Sequence, residues 1–207
     1  MKINSFSLGT MQSNCYLLEN ERKALLIDPG DSGDFLLEKI QSLKLDLVGI
    51  VATHGHFDHI MAVGEIQLTY PKLPLFIHPS DIFLLKRVVE TANHFLGYDP
   101  VVVPISLTAS LDVGTCLISN FTFDVIHTPG HTPGSCVLYF KEDKVLFSGD
   151  TLFKSGIGRY DFSYSDKELL NHSLKTILKL PIDTKVYSGH GGVTSIEDER
   201  GIISNFF

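Results

Sequence analysis

Three histidines and one aspartate fall within six residues of the chain, in the stretch VATHGHFDHI. His54, His56, Asp58 and His59 all carry side chains that can bind a transition-metal ion. His54 and His56 flank Gly55 and can project in the same direction from an extended turn, whereas the adjacent Asp58 and His59 must diverge. One short segment could therefore supply ligands to two neighbouring ions.

Three further turns carry the same kinds of side chain close to glycine: TPGHTPG, SGDT and SGHG. They contain His131, Asp150 and His190, and each turn lies at or just after the end of a predicted strand. Because open α/β sheets place ligands at the carboxyl ends of their strands, we expect these residues to meet the 54–59 segment at one rim.

The number of candidate ligands favours two ions over one. A zinc ion takes about four ligands, and a catalytic one takes about three from protein and one from water. Seven candidates suit two ions ~3.5–4 Å apart that share a carboxylate and a water or hydroxide. Imidazole with carboxylate suits zinc, iron or manganese. We therefore expect two divalent metal ions as cofactors, with zinc favoured over iron and manganese.

The elements that must position these residues alternate between strands and helices. CYLLEN and KALLIDPG are predicted to be strands, and a helix follows with Ser32 as its N-cap. The apolar run LDLVGIVAT predicts a buried strand that ends at the histidine-rich stretch. IMAVGEIQLTY and PSDIFLLKRVVETANHFLG predict helices, residues 98–120 contain short β-branched runs, and SDKELLNHSLKTILKL and SIEDERGIISNFF predict the last helices.

Charge, hydropathy and cysteine content argue against several classes of protein. The 207 residues carry a net charge of −7, which argues against nucleic acid or anionic lipid as a partner. No apolar run approaches the ~18 residues of a membrane span and the N-terminus lacks a signal-peptide core, so we expect a cytoplasmic protein. Cys15, Cys116 and Cys136 are too scattered for a disulfide framework and are expected to be small packed hydrophobes.

The motifs THGHFDH, TPGHTPGS, SGDTLF and SGHG resemble those of the metallo-β-lactamase superfamily, and Asp28 in LLIDPG matches that family's first motif. The resemblance implies an α/β fold, an αββα sandwich of two mixed β-sheets flanked by helices, with residues 1–207 as a single hydrolase domain. Carried over by position, one ion would be held by His54, His56 and His131, the other by Asp58, His59 and His190, with Asp150 bridging and Asp28 supporting the ligands.

Within this superfamily the sequence looks most like the hydroxyacylglutathione hydrolase (glyoxalase II) branch, through GDTLF followed by GIGRYDF and through the late GHG…TSIEDER. Two features depart from that branch. Gly192 stands where proline is usual, and the sequence ends at Phe207 without the C-terminal helical extension that supplies glutathione contacts. We therefore expect thioester hydrolysis more than glutathione specificity.

The resemblance implies a mechanism in which a hydroxide bridging the two metals attacks the carbonyl of a small-molecule thioester. Asp58 would be the catalytic side chain that accepts or relays a proton. Arg159 would bind a substrate carboxylate through its fork of donors. The other histidines are expected to be structural: His78, His94, His127 and His172.

Three other functions fit parts of the pattern. An iron-dependent persulfide dioxygenase shares the fold and a GRxDF-like stretch but uses one iron held by two histidines and one aspartate. A metal-dependent nuclease is disfavoured by the acidic charge. A protein that holds metal only structurally would need a closed set of about four ligands, fewer than the sequence offers.

Overall fold

The computed structural model describes residues 1–203 and contains two six-stranded sheets. In the first sheet the strands lie side by side in chain order. The first two neighbouring pairs are antiparallel, and the remaining three pairs are parallel. These strands are β1 (Lys2–Leu8), β2 (Ser13–Asn20), β3 (Lys23–Ile27), β4 (Asp46–Val51), β5 (Leu75–Ile77) and β6 (Thr108–Ser110).

The second sheet comes from the later half of the chain and has the spatial order β14-β13-β10-β9-β8-β7. Its pairs are antiparallel except for β10 and β13, which are parallel. A short hairpin, β11 (Leu152–Phe153) with β12 (Gly156–Ile157), lies outside both sheets. The six strands are β7 (Gly114–Ile118), β8 (Phe121–His127), β9 (Cys136–Phe140), β10 (Val145–Gly149), β13 (Lys185–Ser188) and β14 (Thr194–Ser195).

Among the described residues, six α-helices and one 3-10 turn, Pro79–Asp81, lie between strands, and a seventh α-helix follows the last strand. The two short helices α2 and α4 lie beside the edge where the histidine-rich stretch is found. The helices are α1 (Gly33–Ser42), α2 (Phe57–Ile60), α3 (Val63–Thr69), α4 (Ile82–Leu85), α5 (Val88–Leu96), α6 (Lys167–Ile177) and α7 (Ile196–Ile203).

Three apolar clusters hold four layers together. Along a strand successive side chains face opposite sides, so Leu17 packs under α1, α3 and α5, whereas its neighbour Leu18 packs against the second sheet. In the second sheet Leu138 faces the first sheet, and Val137 faces α6 and α7. The layers are helix, sheet, sheet, helix, which confirms the αββα sandwich expected from the sequence.

Strand direction explains why the candidate ligands share one edge. β3, β4 and β5 are mutually parallel, so Asp28 and the 54–59 segment follow strands that end on the same side. In the second sheet β8, β10 and β13 point the same way, since β9 is antiparallel to both β8 and β10. Cys136 N donates to Thr53 O at 2.8 Å, which joins the two sheets at this edge.

Several local predictions differ from the structure. The strand β1 was not expected from the sequence. The helix predicted after Pro79 is divided into the 3-10 turn, α4 and α5, with Gly97 ending the last at a φ of 76°. Ser32 occupies the N-cap position of α1, but its hydroxyl does not cap the helix and instead donates to Asp31. The last helix ends at Ile203, and the part predicted over 204–207 lies outside the described residues.

Within residues 1–203, no helix is long and apolar enough to cross a membrane. The three cysteines are free thiols. Cys15 and Cys136 are buried in the apolar clusters as expected, and Cys116 is half-buried on β7.

Candidate metal centre

The structure brings all seven candidate ligands together at the shared edge of the two sheets. They form three overlapping groups, within each of which the potential ligand atoms lie within 4.8 Å of one another. No two of the contributing turns are adjacent in the sequence, so the fold alone creates this cluster. The groups are His54/His56/His131, His54/His59/Asp150 and Asp58/His59/His190.

In the first group, three imidazole nitrogens converge on one point. His56 Nδ1 lies 3.1 Å from His54 Nε2 and 2.9 Å from His131 Nε2. His54 and His131 are almost fully buried, at 1% and 3% exposure, so these two rings are shielded from bulk water. Such convergence is the arrangement in which several imidazoles can share one cation.

The outer nitrogens of these rings are engaged, and this fixes which nitrogen faces inward. His131 Nδ1 donates to the carbonyl of Arg159 at 2.8 Å, so Nε2 presents a lone pair to the centre. Thr53 Oγ1 donates to Asp28 Oδ2 at 2.7 Å and therefore accepts from His54 Nδ1 at 3.1 Å. His54 Nε2 thus also presents a lone pair. Metal-binding histidines are commonly oriented by such outer hydrogen bonds.

The second and third groups share His59, which is fully buried. Its Nδ1 lies 3.1 Å from Asp28 Oδ2, and its Nε2 lies 3.4 Å from Asp150 Oδ1 and 3.7 Å from Asp58 Oδ2. His190 Nε2 lies 3.3 Å from Asp58 Oδ2. Two carboxylates and two imidazoles therefore meet around a small space.

Two atoms of this space are buried without a hydrogen-bond partner among the described residues: His59 Nε2 and Asp150 Oδ1. Buried polar atoms are nearly always satisfied, and an exception requires an explanation. Imidazole nitrogen and carboxylate oxygen are both ligands of divalent transition metals. The orphaned atoms, the converging lone pairs and the donor set all fit metal ions at this edge.

The pKa values of three histidines in the cluster are shifted far from the usual value. Burial lowers the pKa of His56 to about 3, with the nearby His131 adding to the effect. Burial also lowers the pKa of His54 well below its usual range. For His59 burial opposes protonation, but Asp150 and Asp58 outweigh it and raise the pKa well above the usual value. His54 and His56 are therefore neutral at pH 7, while a positive charge is stabilised between the two carboxylates.

Close approach of glycine backbone shapes the second and third groups. A Cβ at Gly189 would lie 2.2 Å from Asp150 Oδ1 and 2.7 Å from His59 Cε1, so only glycine fits there. Gly30 is similar, because its Cβ would lie 1.6 Å from the carbonyl oxygen of Asp58. These two glycines let the ligand turns pack directly against neighbouring backbone.

The start of β2 anchors the same turns. Ser13 Oγ donates to the carbonyl of Asp58 at 2.5 Å, and Asn14 Nδ2 donates to the carbonyls of Ser188 and Gly191 at 2.9 Å each. Sequence reasoning missed both residues. The feature that could have indicated them is a polar pair, Ser-Asn, at the start of a strand whose next four residues are all buried.

A cavity of about 260 Å³ opens over the cluster. Its wall is largely apolar and includes Phe57, for which the sequence suggested no role. Phe57 is 4% exposed and stacks on Phe95 at 6.0 Å between ring centroids. Across the cavity Tyr164 stacks on Phe162 and its hydroxyl lies 2.8 Å from His56 Nε2. Sequence reasoning missed Tyr164 because nothing in the linear pattern connects it to position 56.

Arg159 borders the cavity and makes three contacts that the sequence did not predict. Its carbonyl binds His131, and its guanidinium forms a bidentate pair with Asp161, with Nε–Oδ1 and Nη2–Oδ2 distances of 2.9 Å. The guanidinium also lies 4.6 Å from the ring centroid of Phe162. The arginine is therefore held at the rim of the cavity.

The remaining histidines lie outside the cluster. His127 begins the same HTPG tetrapeptide as His131, but it stacks on His78 at 4.4 Å and its Nε2 donates to the carbonyl of Pro133. His94 lies on α5 and His172 on α6, and both are exposed. None of these four histidines belongs to a ligand group of the described residues, and their structural roles stay a prediction.

A model of the metallo-beta-lactamase superfamily matches residues 8–190, which include all seven clustered side chains. The chain belongs to the metallo-beta-lactamase superfamily. This membership explains why one fold edge gathers histidines and aspartates from four separate turns, and it makes the chain a metal-dependent hydrolase by family.

Individual members of the metallo-beta-lactamase superfamily resemble the chain over nearly all its length. Hydroxyacylglutathione hydrolase GloC of Haemophilus influenzae is 34% identical over 203 residues, 97% of this chain and 95% of the relative. The crystal structure of BLEG-1, a B3 metallo-beta-lactamase, is 35% identical with a TM-score of 0.88, covering 97% of each chain. TTHA1623, solved in a di-iron-bound form, is 37% identical with a TM-score of 0.87, covering 95% of this chain and 96% of that one.

Proposed function

We propose that this protein is a binuclear metal-dependent hydrolase, a thioesterase of the hydroxyacylglutathione hydrolase type. The observation that carries the proposal is the convergence of lone pairs in the first group. His54 Nε2 and His131 Nε2 both lie within 3.1 Å of His56 Nδ1, while their outer nitrogens are engaged by Thr53 and Arg159. A cation at that point would satisfy all three rings.

The ligands divide between two ions in this proposal. His54, His56 and His131 would hold one, and Asp58, His59 and His190 the other. Asp150 is the candidate bridge because its Oδ2 lies 3.5 Å from His131 Nε2 and its Oδ1 lies 3.4 Å from His59 Nε2. The di-iron form of TTHA1623 supports two metal positions on this fold. Zinc, iron and manganese all suit the donor set, and we favour zinc.

Two bound divalent ions would supply a water-derived nucleophile near neutral pH and polarise the substrate carbonyl. The chain's own residues have to position the substrate and manage the proton. Asp58 borders the cavity, and although burial opposes its charge, His59 keeps the pKa of this carboxyl below its usual range. Asp58 is therefore ionised at neutral pH and can accept or relay the proton of the attacking water.

The cavity wall suits a small organic thioester. Phe57, Phe95 and Phe162 offer an apolar surface that excludes water from the reacting carbonyl. Arg159 uses Nε and Nη2 for Asp161, which is compatible with a substrate carboxylate at Nη1. The resemblance to GloC, a hydroxyacylglutathione hydrolase, supports the thioester class. The net charge of −7 argues against a nucleic-acid substrate.

The proposal is tested by a substrate panel on metal-loaded protein: S-lactoylglutathione, a thioester without glutathione, and a β-lactam, which represents the class of BLEG-1. We expect hydrolysis of thioesters and little or none of the β-lactam. His131→Ala should abolish turnover, whereas His172→Ala, at an exposed position on α6, should retain it. Hydrolysis of the β-lactam alone, or thiol-dependent oxygen uptake in place of hydrolysis, would refute the thioesterase assignment.

A further inference from the structure

Asp81 lies outside every motif of the sequence but contacts two of the ligand turns. It ends the 3-10 turn after β5 and is fully buried. Its Oδ2 accepts hydrogen bonds from Gly55 N at 2.8 Å and from Thr132 Oγ1 at 2.7 Å. Its Oδ1 accepts from Gly134 N at 2.6 Å. A single carboxylate thus receives three short hydrogen bonds.

The donors come from segments that belong to different sheets. Gly55 lies between His54 and His56, after β4 of the first sheet. Thr132 and Gly134 lie just after His131, in the connection between β8 and β9 of the second sheet. Asp81 therefore ties the backbone on which the three converging imidazoles are mounted.

The three donors around position 81 require a side chain that only accepts hydrogen bonds, as a carboxylate does. All three donors are neutral groups, and burial raises the pKa of Asp81 although the hydrogen bonds from Thr132 and the two amides oppose this. A buried charge without a cationic partner is costly, so packing alone would be better served by an apolar side chain. A carboxylate, however, has only acceptors and can receive all three donors at once.

The surrounding backbone leaves no room for a different arrangement. A Cβ on Gly134 would lie 2.6 Å from both Cγ and Oδ1 of Asp81. A Cβ on Gly55 would lie 3.1 Å from the carbonyl oxygen of Asp81. Both turns therefore pack closely on this residue, the Gly134 turn against its carboxylate and the Gly55 turn against its backbone carbonyl.

We propose that Asp81 is a positioning residue that sets the distance between the His54–His56 turn and His131, and so tunes one of the two metal positions. The inference rests on the proposed role of these histidines as ligands. It predicts a selective effect, because the carbonyl of Asp58 and the turn of His190 are anchored by other side chains, Ser13 and Asn14.

The test is Asp81→Asn. An amide keeps the shape, but one of its two ends is a donor, so at least one of the Gly55, Thr132 and Gly134 donors must face another donor. Gln67→Met is the matched control. Gln67 is also buried, at 3% exposure, and its amide joins loop backbone at Leu73, Ser106 and Leu107 away from the metal centre. Its loss should lower stability without a selective effect on metal.

Two readouts are measured. Amide hydrogen exchange on metal-free protein should show faster exchange at Gly55 or Gly134 in Asp81→Asn than in wild type and in Gln67→Met. Zinc titration against a chromophoric chelator should show one of two binding steps weakened by about 10-fold or more, as is typical when a group supporting the ligands is removed. The other step should be unchanged.

Unchanged zinc affinities in folded Asp81→Asn would overturn the proposal, as would an equal loss at both steps. Thr132→Val removes one of the three donors and is titrated beside it, so that the test stands if Asp81→Asn does not fold; equal affinities in that variant and wild type would then overturn the proposal. Absence of zinc binding by the wild type would instead refute the proposed function, and this outcome is distinct from either result for Asp81.

Discussion

His56 Nδ1 lies 2.9 Å from His131 Nε2, although the two residues are 75 positions apart and follow strands of different sheets. His56 belongs to the turn after β4 and His131 to the connection between β8 and β9. The first metal position therefore exists only when the two sheets are packed together. Metal binding and the docking of the sheets should consequently be coupled, since a ligand that binds only the folded arrangement stabilises it.

Asp28 should control the metal affinity of both proposed metal positions. Its carboxylate accepts from Thr53 N at 2.7 Å, from Thr53 Oγ1 at 2.7 Å and from His59 Nδ1 at 3.1 Å, so it orients His59 directly and His54 through Thr53. Asp28→Asn replaces one acceptor by a donor, and we expect zinc affinity to fall by about 10- to 100-fold. The measurement is chelator competition. Asp34→Asn, an exposed change at the start of α1, is the control, and wild-type affinity in Asp28→Asn would show that Asp28 does not orient the ligands.

Gly189→Ala should disrupt the second group through sterics alone. The new methyl group would lie 2.2 Å from Asp150 Oδ1, so the carboxylate has to move away from His59. We expect fewer than two ions per chain and loss of turnover, measured by metal analysis and thioester hydrolysis. Gly192→Ala is the control because its Cβ meets nothing nearer than Lys154 Cδ at 3.9 Å. If Gly189→Ala retained two ions, the close packing described for this turn would be incorrect.

Tyr164→Phe should have a smaller effect. The change removes the hydroxyl 2.8 Å from His56 Nε2 but keeps the ring that stacks on Phe162. Because a hydrogen bond contributes ~0.5–1.5 kcal/mol, we expect affinity for one zinc ion to fall by about 2- to 10-fold. Calorimetric zinc titration would measure it, with the exposed Tyr160→Phe as control. A fall in zinc affinity far beyond tenfold would contradict a role limited to orienting the His56 ring.

The cysteines should be chemically silent in the folded protein. Burial raises the pKa of Cys15 and of Cys136, with Asp28 and Asp81 respectively adding to the effect. Burial also raises the pKa of Cys116, to which Asp112 contributes. Since the thiolate is the reactive form, a raised pKa leaves less of it at pH 8. Iodoacetamide should label Cys15 and Cys136 only after unfolding, as followed by mass spectrometry. Labelling of either at the unfolded rate in native protein would contradict their burial.

Much of the site could be predicted from linear motifs, because ligand turns have a local signature of histidine or aspartate beside glycine after an apolar strand. The αββα fold followed from the resemblance that these motifs carry. The supporting contacts could not be predicted in this way. Asp81 reaches Gly134 across 53 positions and Asn14 reaches Ser188 across 174, and neither contact has a periodic or spaced pattern in the sequence. Such contacts depend on how the two sheets are aligned.

The boundaries predicted for the helix after Pro79 were wrong for a related reason. The stretch after Pro79 has a helical pattern throughout, yet it is divided near Asp81 and again near Arg87. Asp81 N donates to the carbonyl of His78, while the carboxylate of Asp81 binds both ligand turns. The helical pattern is therefore interrupted at a residue that makes tertiary hydrogen bonds. Local helix propensity does not indicate such contacts.

The central claim is that two metal ions act together in one hydrolytic site. It is tested most directly by adding zinc stepwise to metal-free protein and recording ions bound per chain and S-lactoylglutathione turnover on the same samples. We predict two ions bound per chain, one at His54, His56 and His131 and the other at Asp58, His59 and His190, with turnover rising through the second equivalent. Full turnover at one ion per chain, with no further rise on binding a second, would contradict the binuclear account.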